Sequence, residues 1–114
     1  MHRDIKPDNI LVIKGKYKLT DFGYACKMHY YSKNNVAGSH CYASPKLRSK
    51  FNNPEKYIQG NNTKDDVFSL GMTMLDMMSL KSLIQSKDLP NIMEKLKTFY
   101  NSELLGLVSL MLTN

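Results

Sequence analysis

Met1-His2-Arg3-Asp4-Ile5-Lys6-Pro7-Asp8-Asn9 opens the sequence, and Asp21-Phe22-Gly23 follows, its Asp twelve residues after Asn9. Between them lies Ile10-Leu11-Val12-Ile13, a short apolar run rich in β-branched residues. Lys14-Gly15-Lys16 then supplies a turn, and Tyr17-Lys18-Leu19-Thr20 alternates apolar with polar. This pattern predicts a β-hairpin with a glycine-containing loop. Two acid-bearing stretches are thus separated by a predicted hairpin. Taken alone, an Asp in a loop is usually a turn former, and Asp-Phe-Gly is often just a turn. Their order and the strand-like connector make the combination informative.

Outward from this stretch, residues 21–46 hold no clear period and read as a long loop carrying Tyr24, Tyr30, Tyr31 and Ser32. A loop of this length inside a compact domain tends to be functional. Residues 52–63 form a polar linker. Then Val67, Leu70, Gly71, Met74, Leu75 and Met78 fall at helical spacing, with Thr63 or Asp65 as cap. Phe68, Met72 and Met77 fill other faces, so this helix is apolar nearly all round and is expected to be buried. Pro90 punctuates the chain. Asn91 to Tyr100 predicts a short helix with Ile92, Leu96 and Phe99 on one side. A last helix is capped by Asn101 or Ser102, with Glu103 in its first turn and a stripe of Leu104, Leu107, Val108, Met111 and Leu112. The expected fold class is mainly α with one small β-hairpin.

The chain has 114 residues, 42% of them hydrophobic, which suits one small domain with a core. The formal charge of +6 favours anionic partners, but the lysines are scattered and no run of like charges occurs. A nucleic-acid binder would rest on charge alone, and no nucleic-acid partner is expected. Cys26 and Cys41 make no disulfide framework, and His2, His29 and His40 do not fall at zinc-ligand spacing with them. There is no apolar stretch long enough for a membrane helix and no signal-peptide core, so the expectation is an intracellular, by default cytoplasmic, protein with no membrane partner.

His2 to Asn9 resembles the catalytic loop of eukaryotic protein kinases, and Asp21-Phe22-Gly23 resembles their metal-binding triplet. Phosphoryl transfer needs an oriented nucleophile, divalent metal and charge compensation. The resemblance implies that Asp4 accepts the proton of a substrate hydroxyl and that Lys6 sits near the γ-phosphate. It implies Asn9 and Asp21 as ligands of Mg2+, with ATP as phosphoryl donor and Leu11 as an apolar floor for its adenine. Lys6-Pro7-Asp8-Asn9 has the serine/threonine-type form of this loop, so the partner implied is a protein substrate with Ser or Thr.

Arg3 resembles the arginine that receives a phosphorylated activation-segment residue, with Ser32 or a neighbouring tyrosine as the candidate switch. Gly38 to Pro45 resembles the substrate-seating end of that segment. Ser39 stands where a hydroxyl touches the catalytic Asp and Lys, and Tyr42 lies within the seat. Ser44-Pro45-Lys46 matches the Ala-Pro-Glu closure, with Lys46 where an acid is expected. Asp66 would anchor the backbone around His2 and Arg3.

No GxGxxG loop and no Val-Ala-x-Lys strand occurs in the sequence. Residues 1–114 are therefore expected to be a partial protein kinase domain, the central part of a C-terminal lobe, with the nucleotide lobe absent. His2 and Phe22 are expected to stack on partners outside this chain. The implied function is that of a protein serine/threonine kinase catalytic-domain fragment, itself a poor catalyst and marginally stable. The alternative is a non-catalytic kinase-like interaction module.

Overall fold

A computed structural model describes residues 1–27, 37–55, 63–80 and 88–113. The expected switch residues Tyr30, Tyr31 and Ser32 lie outside the described residues, as does most of the 52–63 linker. After a 3-10 turn at Pro7–Asn9 come strands β1 (Ile10–Ile13) and β2 (Lys16–Leu19). Four helices follow: α1 (Pro45–Asn52), α2 (Thr63–Ser79), α3 (Leu89–Leu96) and α4 (Ser102–Leu112). Mostly helical with a two-stranded antiparallel hairpin, the chain has the expected fold class. No helix among the described residues is long and apolar enough to cross a membrane.

The hairpin pairs Ile10 with Leu19, Leu11 with Lys18, Val12 with Tyr17 and Ile13 with Lys16. Lys14 and Gly15 form the turn, both at positive φ (50° and 72°), the geometry a tight hairpin demands. Directly opposed residues share a face and alternate sides along the strand. Ile10, Val12, Tyr17 and Leu19 therefore make one wholly apolar face, while Leu11 and Ile13 share the other with Lys16 and Lys18. The Thr20 N–H donates to the Asn9 carbonyl at 3.0 Å, extending the ladder one pair beyond Ile10. That register carries Asn9 and Asp21 to the same end of the hairpin.

Helix α1 was not legible in the sequence. Ser44 caps it, accepting a bond from the Leu47 N–H at 3.3 Å, and Pro45 follows at the first position, where a missing N–H costs nothing. Arg48 folds back from α1 to donate to the Ala43 carbonyl at 2.9 Å, and its guanidinium lies 5.9 Å from the Phe68 ring centroid. Helix α2 is the spine of the molecule, touching α3, α4 and the 3-10 turns at Pro7–Asn9 and His40–Tyr42. Its buried face overlaps the expected stripe only in part: Gly71 and Leu75 of that stripe are enclosed together with Phe68 and Met72, whereas Val67 is exposed. A helix apolar nearly all round offers no periodic cue to its deeper face.

Leu75 packs with Leu96, Leu105 and Val108 in one cluster, and Tyr42 with Phe68 and Met72 in a second. Gly71 is the close-approach point of α2 and α4, since a Cβ there would sit 2.8 Å from Met111 Cβ. Asn101 caps α4 by accepting from the Leu104 N–H at 2.8 Å. In α4 it is Leu105 that turns inward, while Leu107 faces out. Pro90 does not end an element but lies in the first turn of α3, which Asp88 caps. That helix stops at Leu96, so Phe99 leaves the expected stripe and is exposed. Asp65 does not cap α2; its carboxylate is turned to Ser44 instead.

Candidate active site

Asp66, in the first turn of α2, accepts from the backbone N–H of His2 at 2.7 Å and of Arg3 at 2.8 Å. One carboxylate thus spans two consecutive amides and sets the entry of the Asp4 loop. Arg3 takes a left-handed backbone (φ 71°), uncommon for a residue with a long side chain. Its Nε donates to the Tyr24 carbonyl. The His2 ring bridges to the hairpin, with Nε2 at 3.1 Å from the Thr20 carbonyl oxygen and Nδ1 accepting from the Asp4 N–H at 3.3 Å. These contacts fit the neutral tautomer that carries its proton on Nε2. Phe22 packs edge-on to the His2 ring at 5.0 Å between centroids. His2 and Phe22 thus pack on each other within the chain, with Phe22 still 63% exposed.

Asp4 is 4% exposed, and three side chains converge on its carboxylate. Oδ1 accepts from Ser39 Oγ at 2.8 Å. Oδ2 accepts from Asn9 Nδ2 at 3.1 Å and lies 3.0 Å from Lys6 Nζ. Lys6 Nζ also donates to Ser39 Oγ at 3.0 Å, so Asp4, Lys6 and Ser39 close a triangle. Burial pushes the Asp4 carboxyl up, but the Ser39 and Lys6 hydrogen bonds, the Lys6 charge and the Asn9 amide outweigh it and hold the group below its ordinary value. The carboxylate is therefore ionised at neutral pH. Gly38 lets this happen: at φ 106° it passes so close to the loop that a Cβ would lie 2.2 Å from the Arg3 carbonyl oxygen.

Tyr42 is buried, and its hydroxyl donates to Asp76 Oδ2 at 2.8 Å. Burial and the Asp76 carboxylate both push the phenol well above its usual value, so it stays a protonated donor. Ser44 Oγ donates to Asp65 Oδ1 at 2.6 Å. Helix α2 thus offers three carboxylates, Asp65, Asp66 and Asp76, each to a different loop position. Neither Asp65 nor Asp76 stood out in the sequence as a site residue. The signal available was chemical: an acid inside an otherwise apolar helix has to be met by a donor.

Asp21 is exposed, with φ 59°, and its Oδ1 accepts from the Gly23 N–H at 3.2 Å in an Asx-type turn. Leu11 is 45% exposed on the hairpin face shared with the lysines. Lys46 is exposed at the start of α1.

Asn9 uses its amide nitrogen on the Asp4 carbonyl (2.8 Å) and carboxylate, which turns its oxygen into an available neutral ligand. Together with the exposed Asp21 carboxylate this is a hard, all-oxygen donor pair. No cluster of three or more His, Cys, Asp or Glu capable of holding a metal occurs among the described residues. Two protein oxygens, with the rest supplied by phosphate and water, suit Mg2+ and not a metal needing an all-protein cage. The residues present fit that ion.

Residues 1–108 match the family profile described as Protein kinase domain. The chain belongs to the protein kinase domain family. Serine/threonine-protein kinase dst4 of Dictyostelium discoideum is 38% identical over 84 residues, covering 71% of this chain and 16% of that protein. Serine/threonine-protein kinase pakA of the same organism is 40% identical over 82 residues, 68% of this chain and 6% of its own length. Mitogen-activated protein kinase kinase kinase 8 of Rattus norvegicus is 34% identical over 79 residues, 68% of this chain and 15% of that protein. The kinase-family chain therefore spans about a sixth or less of these curated relatives. No solved structure matches it.

Proposed function

We propose that this chain is the central part of the C-terminal lobe of a protein serine/threonine kinase, acting in the complete enzyme on a protein hydroxyl. The observation that carries this reading is the triangle of Asp4, Lys6 and Ser39. A seryl hydroxyl already sits with its hydrogen on an ionised, buried carboxylate and its oxygen on an ammonium. A substrate hydroxyl presented to the same two groups would be oriented and activated in the same way.

In this reading Asp4 holds the acceptor hydroxyl through its carboxylate and receives its proton as the oxygen takes the γ-phosphoryl group of ATP, ADP leaving. Lys6 places positive charge beside the transferring group. Asn9 and Asp21 would hold Mg2+, which when bound neutralises phosphate charge. Asp66 fixes the backbone from which Asp4 projects, and Leu11 offers the adenine an apolar surface. Arg3 and the segment containing Ser32 would form the regulatory contact, with Ser39 and Tyr42 seating the substrate.

Replacing Asp4 by Asn keeps the shape and removes the base. In the intact enzyme, phosphate transfer to a protein substrate should fall about 10²- to 10⁴-fold, with nucleotide binding retained. Transfer at the unaltered rate would overturn the assignment and leave a kinase-like binding module.

A further inference from the structure

The substrate-seating segment is tied to α2 at a point that the kinase reading does not use. Ser44 is 2% exposed and Asp65 is 7% exposed, and the hydroxyl donates to Oδ1 at 2.6 Å. The other oxygen of this carboxylate, Oδ2, is buried with no hydrogen-bond partner among the described residues. Among the described residues, Ser44 is thus the only side-chain donor to this buried acid, and such an acid depends heavily on its donor. Ser44 serves two partners at once, because its Oγ also accepts from the Leu47 N–H and so starts α1. Five residues upstream in the same segment, Ser39 reaches Asp4. The acid expected at position 46 is replaced by Lys46, exposed on α1, so a buried carboxylate facing this segment comes from α2 instead.

We propose that Ser44 and Asp65 form a latch that holds residues 39–45 on α2, making both of them positioning residues for Ser39 and the substrate seat. What the latch is for rests on the kinase reading; whether it exists is testable without catalysis.

Two free thiols supply the readout. Cys41 lies inside the latched segment, half-buried against the Tyr42, Phe68 and Met72 cluster. Cys26 lies outside it, paired through its backbone N–H to the Met1 carbonyl at 3.1 Å. Iodoacetamide labelling of the intact protein, resolved by peptide mass, gives a rate for each. Ser44→Ala and Asp65→Ala should each speed labelling of Cys41 roughly ten-fold, with Cys26 unchanged. Ser44→Thr, which keeps the hydroxyl, should label at the wild-type rate. If Ser44→Ala alone accelerates Cys41, the lost helix cap is responsible and the latch is refuted. Equal acceleration of both thiols would mean general loosening, and no acceleration would mean no latch; either refutes it. Should the alanine variants fail to fold, Asp65→Asn keeps one acceptor oxygen and should speed Cys41 about three-fold, with an unchanged rate refuting the latch. An Asp4→Asn variant that still transfers phosphate at the unaltered rate would sink the kinase reading while leaving this labelling pattern intact.

Discussion

Two acids of the candidate site could hardly be held more differently. Asp4 is 4% exposed and receives hydrogen bonds from Ser39, Asn9 and Lys6. Asp21 is exposed and accepts only its own turn's Gly23 N–H among the described contacts. The loop around Asp4 is built against α2, with residues 63 and 64 positions apart bonded directly. The hairpin that leads to Asp21 stands away from the helices, and Val12 and Tyr17 are 64% and 72% exposed. The group proposed to orient a hydroxyl is preorganised by the chain itself. The group proposed to hold a cation is left open, as a ligand that must admit an ion and phosphate would be.

That contrast predicts a gradient of sensitivity. Asp66→Ala strands the His2 and Arg3 amides and should cost about 3 kcal/mol of unfolding free energy, read from denaturant titration. Asp66→Asn keeps one acceptor and should cost about half as much. A loss below about 0.5 kcal/mol for Asp66→Ala would mean that the loop is not held from α2.

Next come two glycines in the same left-handed region. Gly38→Ala meets both backbone strain and the Arg3 carbonyl, so it should cost about 2 kcal/mol or more. Gly15→Ala, with nothing within 4 Å of the added carbon, should cost only the strain, about 1 kcal/mol. Equal losses would erase the distinction between the two regions.

Smaller again is a dependence on acid. Because the folded Asp4 carboxyl is held low, its contribution is complete above the ordinary carboxylate range and is lost as pH falls through its depressed value. The stability gap between the wild type and Asp4→Asn should therefore narrow on acidification, and a gap that widens would contradict the hydrogen-bond network. At the far end, Val12→Thr on the exposed hairpin face should change stability by less than about 0.5 kcal/mol. A larger loss would mean that this apolar face is covered in solution.

The hairpin was legible because alternation and Lys14-Gly15-Lys16 act within a few residues. So were the existence of α2 and α4, through their apolar spacing, and the cap at Asn101. Less was legible where two signals competed. Phe68 and Met72 belong to the deepest face of α2, but a helix with apolar residues on every side gives spacing no preference. Helix α1 escaped because Lys46, Arg48, Ser49 and Lys50 hide its short apolar side; its buried residues are Leu47 and the stem of Lys50. At the site, the stretches bearing Asp4, Asn9 and Asp21 were visible as motifs. The pairs Ser44–Asp65 and Tyr42–Asp76 were not, since a hydrogen bond between residues 21 or 34 positions apart leaves no period to find.

The bond from the Arg3 amide to Asp66 also has a consequence in time. During synthesis the loop is made first, yet the carboxylate that shapes it lies 63 residues downstream. At roughly 5–20 residues per second, a ribosome takes several seconds to cross that interval. Throughout it the nascent chain carries an Asp4 loop without its anchor. The loop therefore gains its anchor late, when α2 emerges, and a chain cut short before residue 66 would have the motif without that anchor.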